Sequence, residues 1–545
     1  MKEKFDMRTF LVIIAILVFV NAKTYDYCVA GLGGSGSIVC ETLSRDSKAK
    51  VLCLDVGEDE SAQMSDLVGF YDQVRFVLNF TGEPTVLDKF PWGHQLWSQE
   101  SPLSLGGKSQ YYFQSEIAGG GMSVNGNLLN RPSRVDLDSW NSPLWTFDAT
   151  NDAWKEVTNL PGGDPAYHGN GPLTYNYFAH DAVTNMMQGA LSTVLGQGVN
   201  LDTNGNYSYG VGLAARNIDV SSGSPKRQDS FSTVLKPVMD SRKKLDVLFG
   251  AKVLKVEFKN NKRHIVYVYD GQIESVRCKD ELVLSLGPIV TPQVLQLSGI
   301  GDCAELTALG IDCLIDNHHV GENLLTGTTY TQLWGSPLPY SALGGKVNGA
   351  IVVGYDQSPF YAGPADGADI YVESAAFSSS TPGLPMVLVG SFGHRAGNVG
   401  SVKLRKNNAF IDTVIKFNTY RDDPMGLLKI TDMFKKVRSA MLALSPTLFN
   451  FELQPSFAAV PLDATDAQIA TYLAQNLAIH HVFGGAVMHK VVDDRLRLID
   501  GSGNVVGGIR IVDTSVVPQY TQAYAAAGTA VLVGQRGANL ILEDH

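Results

Sequence analysis

One stretch constrains this chain more than any other. Residues 25–57 run from Tyr-Asp-Tyr-Cys-Val-Ala through Gly31-Leu-Gly33-Gly34-Ser35-Gly36 to Leu-Cys-Leu-Asp55-Val56-Gly. Tyr27 to Ala30 reads as a short buried strand, the glycines as a tight turn and Ser37 to Ser44 as a helix. Lys50 to Leu54 reads as a second strand ending on Asp55, 19 residues after Gly36. Gly31 permits the turn, Gly33 lets backbone approach a pyrophosphate, and Gly36 lets helix and strand pack closely, with Gly34 and Ser35 completing the loop. The helix N-terminus turns N–H groups and a positive dipole end toward phosphates. Asp55, with Val56 beside it, can accept a hydrogen bond from a ribose 2′-OH. In a chain with 55 glycines, Gly-x-Gly-x-x-Gly alone is weak. Strand, helix and acidic residue in the right order make it a dinucleotide site, so a doubly wound α/β domain is expected.

Met1 to Ala22 has the layout of a secretory signal peptide: Lys2, Lys4 and Arg8, an apolar run from Phe10 to Val20, then small residues. The run is shorter than the roughly 20 residues that span a bilayer, so a mature, exported chain is expected from near Lys23, with no membrane association after cleavage. Two sequons, Asn79-Phe-Thr81 and Asn206-Tyr-Ser208, are compatible with a secreted glycoprotein. Of the six cysteines, Cys28, Cys40 and Cys53 fall in the dinucleotide segment and are expected as buried free thiols. Cys303 and Cys313 could pair in an oxidising compartment. A net charge of −11 with no basic run argues against nucleic acid. No CxxC or HExxH spacing supports a metal site.

Residues 58–110 are turn-rich and read as an irregular excursion. Then Ile117-Ala-Gly-Gly-Gly-Met-Ser-Val124-Asn125-Gly126 brings three successive glycines, the mark of close backbone approach to something flat or charged. Further on, Gly287-Pro-Ile-Val-Thr-Pro292-Gln-Val-Leu-Gln-Leu-Ser-Gly-Ile-Gly301 follows the second signature of the glucose-methanol-choline (GMC) family of flavin oxidoreductases at every fixed position. Ala251 to Val253 resembles that family's adenine-side strand, and Val320-Gly-Glu-Asn-Leu324 its following segment. The resemblance runs from Tyr25 to the C-terminus and is faint between residues 330 and 470.

It implies FAD bound in a discontinuous domain (23–70, 111–140, 225–330 and 470–545), and a substrate or cap domain (71–110, 141–224 and 331–469) built on an antiparallel sheet packed with helices. The residues allow this. Gly349 to Tyr355, Ala368 to Ser374, Met386 to Gly390 and Phe410 to Phe417 read as strands, and Asp423 to Leu444 as an amphipathic helix. The resemblance also implies flavin contacts at Asn125, Gly126, Val253 and Asp513. Some relatives attach FAD covalently through a His before that Asn; here Val124 stands there, so non-covalent FAD is expected.

The family's catalytic His corresponds to His481, three residues before Gly484 in Ala478-Ile-His-His-Val-Phe-Gly-Gly485. An imidazole titrating near neutrality can take the hydroxyl proton of an alcohol while FAD accepts the hydride, with oxygen or another acceptor taking the electrons. His480 would point the other way on an extended segment. The family's second active-site His or Asn is missing: Ala525 stands in its place, with Tyr524 and Gln522 nearby as substitutes. That departure keeps two alternatives open, a hydroxynitrile lyase-type enzyme and a non-catalytic flavin-binding protein. The main expectation is a secreted FAD-dependent oxidoreductase acting on the CH–OH group of a small-molecule alcohol.

Overall fold

The apolar runs beside the first glycine turn become the middle of a parallel sheet, as strands buried on both faces must. The computed structural model describes residues 23–65, 93–100, 105–260, 262–343, 350–365, 367–378, 385–395, 399–421, 423, 425–444, 451–521 and 526–545. Segment 1–22, the Asn79 sequon, and Gln522, Tyr524 and Ala525 lie outside the described residues.

In chain order the principal elements begin with β1 (Thr24–Ala30), α1 (Gly36–Leu43), β2 (Val51–Leu54), α2 (Ala182–Leu195) and β3 (Gly210–Leu213). Next come β4 (Leu245–Leu248), β5 (Lys252–Lys259), β6 (Lys262–Tyr269), β7 (Gln272–Leu284), α3 (Gly287–Leu297) and β8 (Glu322–Ser336). The chain continues through β9 (Val352–Asp356), β10 (Ile370–Ser378), β11 (Met386–Arg395), α4 (Gly426–Ala443), α5 (Asp466–Asn476) and β12 (Ala478–Gly484), and ends with β13 (Val505–Ile511) and α6 (Ala526–Asp544).

The first sheet has the order β4-β2-β1-β7, all parallel, and β13 lies parallel to the last residues of β7. The first half of β7 turns back through β6 and β5 as an antiparallel meander. Ala30 stands opposite both Leu54 and Leu284, so three strand ends reach the same edge. Helix α1 covers this sheet and meets α6 closely, because Gly534 of α6 leaves no room for a side chain against the Ser35 backbone.

Here the thiol expectation fails. Cys28 bonds Cys278, and Cys40 bonds Cys53, as Cys303 does Cys313. Cys28 lies opposite Leu282 and Cys278 opposite Tyr25, but the register between β1 and β7 is irregular there and the two cysteines, 250 positions apart in the chain, come to a Cα separation of 5.7 Å, inside disulfide range. No local pattern could disclose such a partner.

The second sheet is antiparallel, in the order β3-β9-β10-β11-β8, with β12 pairing on part of β8. Its strands alternate. Tyr330, Trp334, Val372, Leu388 and Phe392 form one core with residues of α2, α4 and α5. The next residues along β9 and β10, Val353, Tyr355, Tyr371 and Ala375, pack into a separate buried cluster with Ala214 and Ile351. The predicted strands are present with shifted ends, and the predicted long helix runs Gly426–Ala443. Within the stretch expected to be irregular, Gly93–Trp97 instead pairs with Tyr111–Ser115 as a hairpin. Its residues are polar and aromatic, so no apolar alternation announces it.

Candidate active site

The first glycine turn separates two kinds of glycine. Gly31 has φ +93, and a Cβ there would lie 2.2 Å from the Ser285 carbonyl oxygen; one on Gly36 would lie 1.8 Å from that of Gly31. Both are fixed by packing. A Cβ on Gly33 would meet only the Gly120 Cα at 3.9 Å, and one on Gly121 nothing within 4 Å, so these two border open space. Ser35 occupies the N-cap of α1 without capping it: its hydroxyl donates to the Ala530 carbonyl at 2.7 Å. The Ser37 and Ile38 amides donate to the Gly33 and Ser35 carbonyls at 3.2 and 3.1 Å, so what the turn offers an anion is the positive dipole end of α1. Beside Gly34 stands the Met122 thioether, 3.2 Å from where a Cβ would be.

Asp55 ends β2 facing this turn. One carboxylate oxygen accepts from the Leu32 amide at 2.5 Å and the other from Gly57 at 2.7 Å, each keeping a lone pair. Burial pushes its pKa up to about 6. Val56 is exposed beyond it. The Ala251 amide donates to the Asp55 carbonyl at 2.7 Å, tying β2 to the strand that buries Val253. An uncapped helix, two open glycines and a buried acceptor fit the diphosphate and ribose of FAD.

The second glycine block lies across the first. Gly119 N–H donates to Leu32 O at 2.8 Å, and Gly57 packs against the Ile117 backbone. Asn125 holds its own loop: Oδ1 accepts from the Asn127 amide at 3.0 Å and from Arg227 Nη1 at 2.9 Å, while Nδ2 donates to Leu128 O. Arg227, which sequence reasoning missed, also donates to the Met122 and Asn125 carbonyls. Its own burial lowers it to about 10. Gly126 sits inside this turn. Asp513 is held apart from that loop: its carboxylate accepts from the Gly287 amide and Thr291 hydroxyl of α3 and from the Ser515 amide, and burial raises its pKa. It therefore fastens the last segment to the positive end of α3.

His481 breaks its strand. Val482 pairs with Thr326 and His480 with Gly327, so His481 is the extra residue of a β-bulge, with φ +52. The simple alternation expected for His480 and His481 does not hold there. Bulges re-aim side chains, and the positive φ is strain that the neighbours must hold. Those neighbours are visible. Gly484 abuts the Asn323 carbonyl, Phe483 packs edge-on to Tyr520 at 5.2 Å, and the buried Tyr520 hydroxyl bonds the Gly327 backbone opposite the bulge. Tyr520 was also missed in the sequence. It lies in the turn between β13 and α6, where no periodicity marks a packing residue.

Models of the GMC oxidoreductase family match residues 25–328 and 396–532. The oxygen-dependent choline dehydrogenase of Brucella ovis is 26% identical over 556 residues, covering 95% of each chain. Among solved structures, pyridoxine 4-oxidase from Mesorbium loti superposes with a TM-score of 0.81 at 20% identity, covering 96% of this chain and 100% of that one. A fungal aryl-alcohol oxidase gives 0.77 at 19% identity, covering 96% and 99%.

Gly33→Val tests the open side of the turn. Because the unliganded fold tolerates a Cβ there, the variant is expected to fold, with unchanged far-ultraviolet circular dichroism, and to purify colourless; normal flavin content would remove the diphosphate from this loop. Asp55 predicts a pH effect. Ionised, it offers its remaining lone pair on each oxygen to ribose, so flavin retention should weaken by up to about tenfold per pH unit as pH falls below about 6. The unliganded chain has the opposite sign. A carboxyl raised from 3.8 to about 6 binds its proton more tightly when folded, so stability falls as pH rises through that window. Fluorescence of released flavin measures the first effect, and Asp55→Asn should flatten it.

Proposed function

The chain belongs to the GMC oxidoreductase family, and from that premise we propose a secreted enzyme that oxidises a primary or secondary alcohol with His481 as general base. Its cofactor is FAD, and its donors are CH–OH groups. Bound FAD supplies the hydride acceptor. The chain's own residues do the rest. The first glycine turn, α1 and Asp55 hold the cofactor's adenosine and diphosphate. Arg227 and Asn125 stiffen the loop that lies across that turn. Val124 offers no nucleophile, so the cofactor is held non-covalently.

The observation that carries the catalytic reading is the bulge at His481. An imidazole on the last strand beside β8 is presented out of register with its neighbours, on a backbone pinned by Gly484, Gly327 and Tyr520. A base needs a fixed position more than an exposed one, since proton transfer requires hydrogen-bond distance to the substrate hydroxyl. We assign Tyr524 as the companion hydrogen-bonding group, in place of the missing His or Asn. The first sheet with its glycine turns forms the cofactor domain, and the second sheet the substrate domain.

Export is supported by the signal-like N-terminus and by three disulfides among the described cysteines, a usage typical of oxidising compartments. At the Asn206 sequon, Arg134 donates to the side-chain oxygen at 2.8 Å, while a glycan would join the nitrogen.

His481→Ala should keep its flavin and lose the rate of anaerobic flavin bleaching by alcohol at least about 10²-fold. An unchanged bleaching rate would dismiss His481 as the base. Expressed with its own leader, the protein should collect in the medium with Lys23 or a near neighbour at its N-terminus, and titrate no free thiol in denaturant. Retention inside the cell, or a titrating thiol, would count against export.

A further inference from the structure

One end of the second sheet leaves apolar side chains in water. Beyond β3, Val199 and Asn200 add a last short pairing, parallel to Val211 and Gly212, and no described strand pairs with their outer side. Val199 is 57% exposed, Leu201 87% and Tyr207 54%. The three sit on one small loop, because the Asn200 side-chain amide donates to the Tyr207 and Tyr209 carbonyls at 2.8 and 3.2 Å. An open edge flanked by such residues is a template for another chain, and natural edges are blunted by charge, by proline or by a cover. From Gly196 to Gly210 the sequence holds no lysine, arginine or proline. Its one carboxylate, Asp202, is engaged by His168 at 2.7 Å and Tyr177 at 2.8 Å. Charge and proline are therefore not what protects this edge.

The same loop carries the sequon Asn206-Tyr-Ser208, and its folded geometry suits a sugar. Arg134 is gripped by both oxygens of Asp148, at 2.7 and 2.9 Å, and donates to Asn206 Oδ1 from Nη2 at 2.8 Å and from Nε at 3.3 Å. Among the described residues, neither Asn206 Nδ2 nor the Ser208 hydroxyl makes a hydrogen bond. An asparagine joined to a sugar keeps its carbonyl oxygen and one N–H, so both Arg134 bonds survive the modification. The side chain is thus held by its oxygen with its nitrogen left over.

We propose that Asn206 carries an N-linked glycan whose task is to cover this edge of the second sheet and keep copies of the protein from associating through it. This rests on the export reading above, since the glycan donor meets only an exported chain. In the transfer, Asn206 Nδ2 bonds C1 of an oligosaccharide carried on a polyprenyl diphosphate; the C1–O bond to the diphosphate breaks, the nitrogen gives up one proton, and nothing is oxidised or reduced. The reach required is short. Tyr207 follows the linkage directly, and the Asn200 amide keeps Leu201 and Val199 close by. A bulky, hydrated chain rooted there occupies the space that a second strand would need.

The test begins with the protein exported by its own cells, where peptide mapping should find Asn206 glycosylated. Light scattering over a concentration series then reads association. Ser208→Ala, which removes the acceptor signal and leaves the Arg134 bonds in place, should self-associate at least about tenfold more tightly than wild type, and adding Leu201→Ser should reverse this. Trimming the glycan from folded wild type with an endoglycosidase should produce the same association, so the outcome does not hang on a variant's folding. Trimmed protein that associates no more than wild type overturns the proposal, as does association that survives Leu201→Ser, because another face is then at work. An exported protein with Asn206 unmodified removes this proposal alone; retention of the chain inside the cell removes the export reading with it.

Discussion

Everything near the cofactor cleft depends on four parallel strand ends being tied at one edge. Gly31 N–H donates to Leu54 O at 2.7 Å, Ser285 N–H to Ala30 O at 2.7 Å, and the Ser285 hydroxyl to Val512 O at 2.7 Å. These bonds align β1, β2, β7 and β13, and each strand then delivers one functional element. From β1 comes the glycine turn, from β2 Asp55, from β7 the start of α3, and from β13 Asp513. Ligand sites in open α/β sheets lie at such carboxyl edges, because the strands there release loops in diverging directions.

Two buried carboxylates show how placement changes the work of one chemical group. Asp513 takes two bonds on one oxygen, from the Gly287 amide and the Thr291 hydroxyl, and one on the other from the Ser515 amide, and so fastens α3 to the last segment. Asp55 keeps a lone pair on each oxygen and can still take a ligand. Electrostatics alone would not separate them, since burial raises both. Hydrogen bonds distinguish them by degree: Asp513 accepts three, Asp55 two.

The bulge at His481 is where the second sheet departs from strand alternation. A regular strand would have fixed the His481 side chain by alternation. The extra residue frees it from that rule, and Tyr520 and Gly484 hold the result. The long strand β8 pairs with β12 along its first part and with β11 along most of its length, and packs on the helices behind it. That sharing couples the position of His481 to the packing of the helix-covered core.

The sequence by itself determined the local elements: a strand, a glycine turn, a helix and an acidic residue within some thirty positions, and the second signature that becomes α3. Their physics is short-range, since strand period, helix start and turn geometry are written in adjacent residues. The His481 assignment was legible only through family resemblance, and nothing local foretold the bulge. Tertiary structure alone decided which cysteines meet, because Cys28 and Cys278 become neighbours only when β1 lies along β7. It also decided that Arg227 braces the Asn125 loop. Such pairings join residues that are far apart in the chain, and they follow from strand order and register rather than from any pattern the chain carries locally.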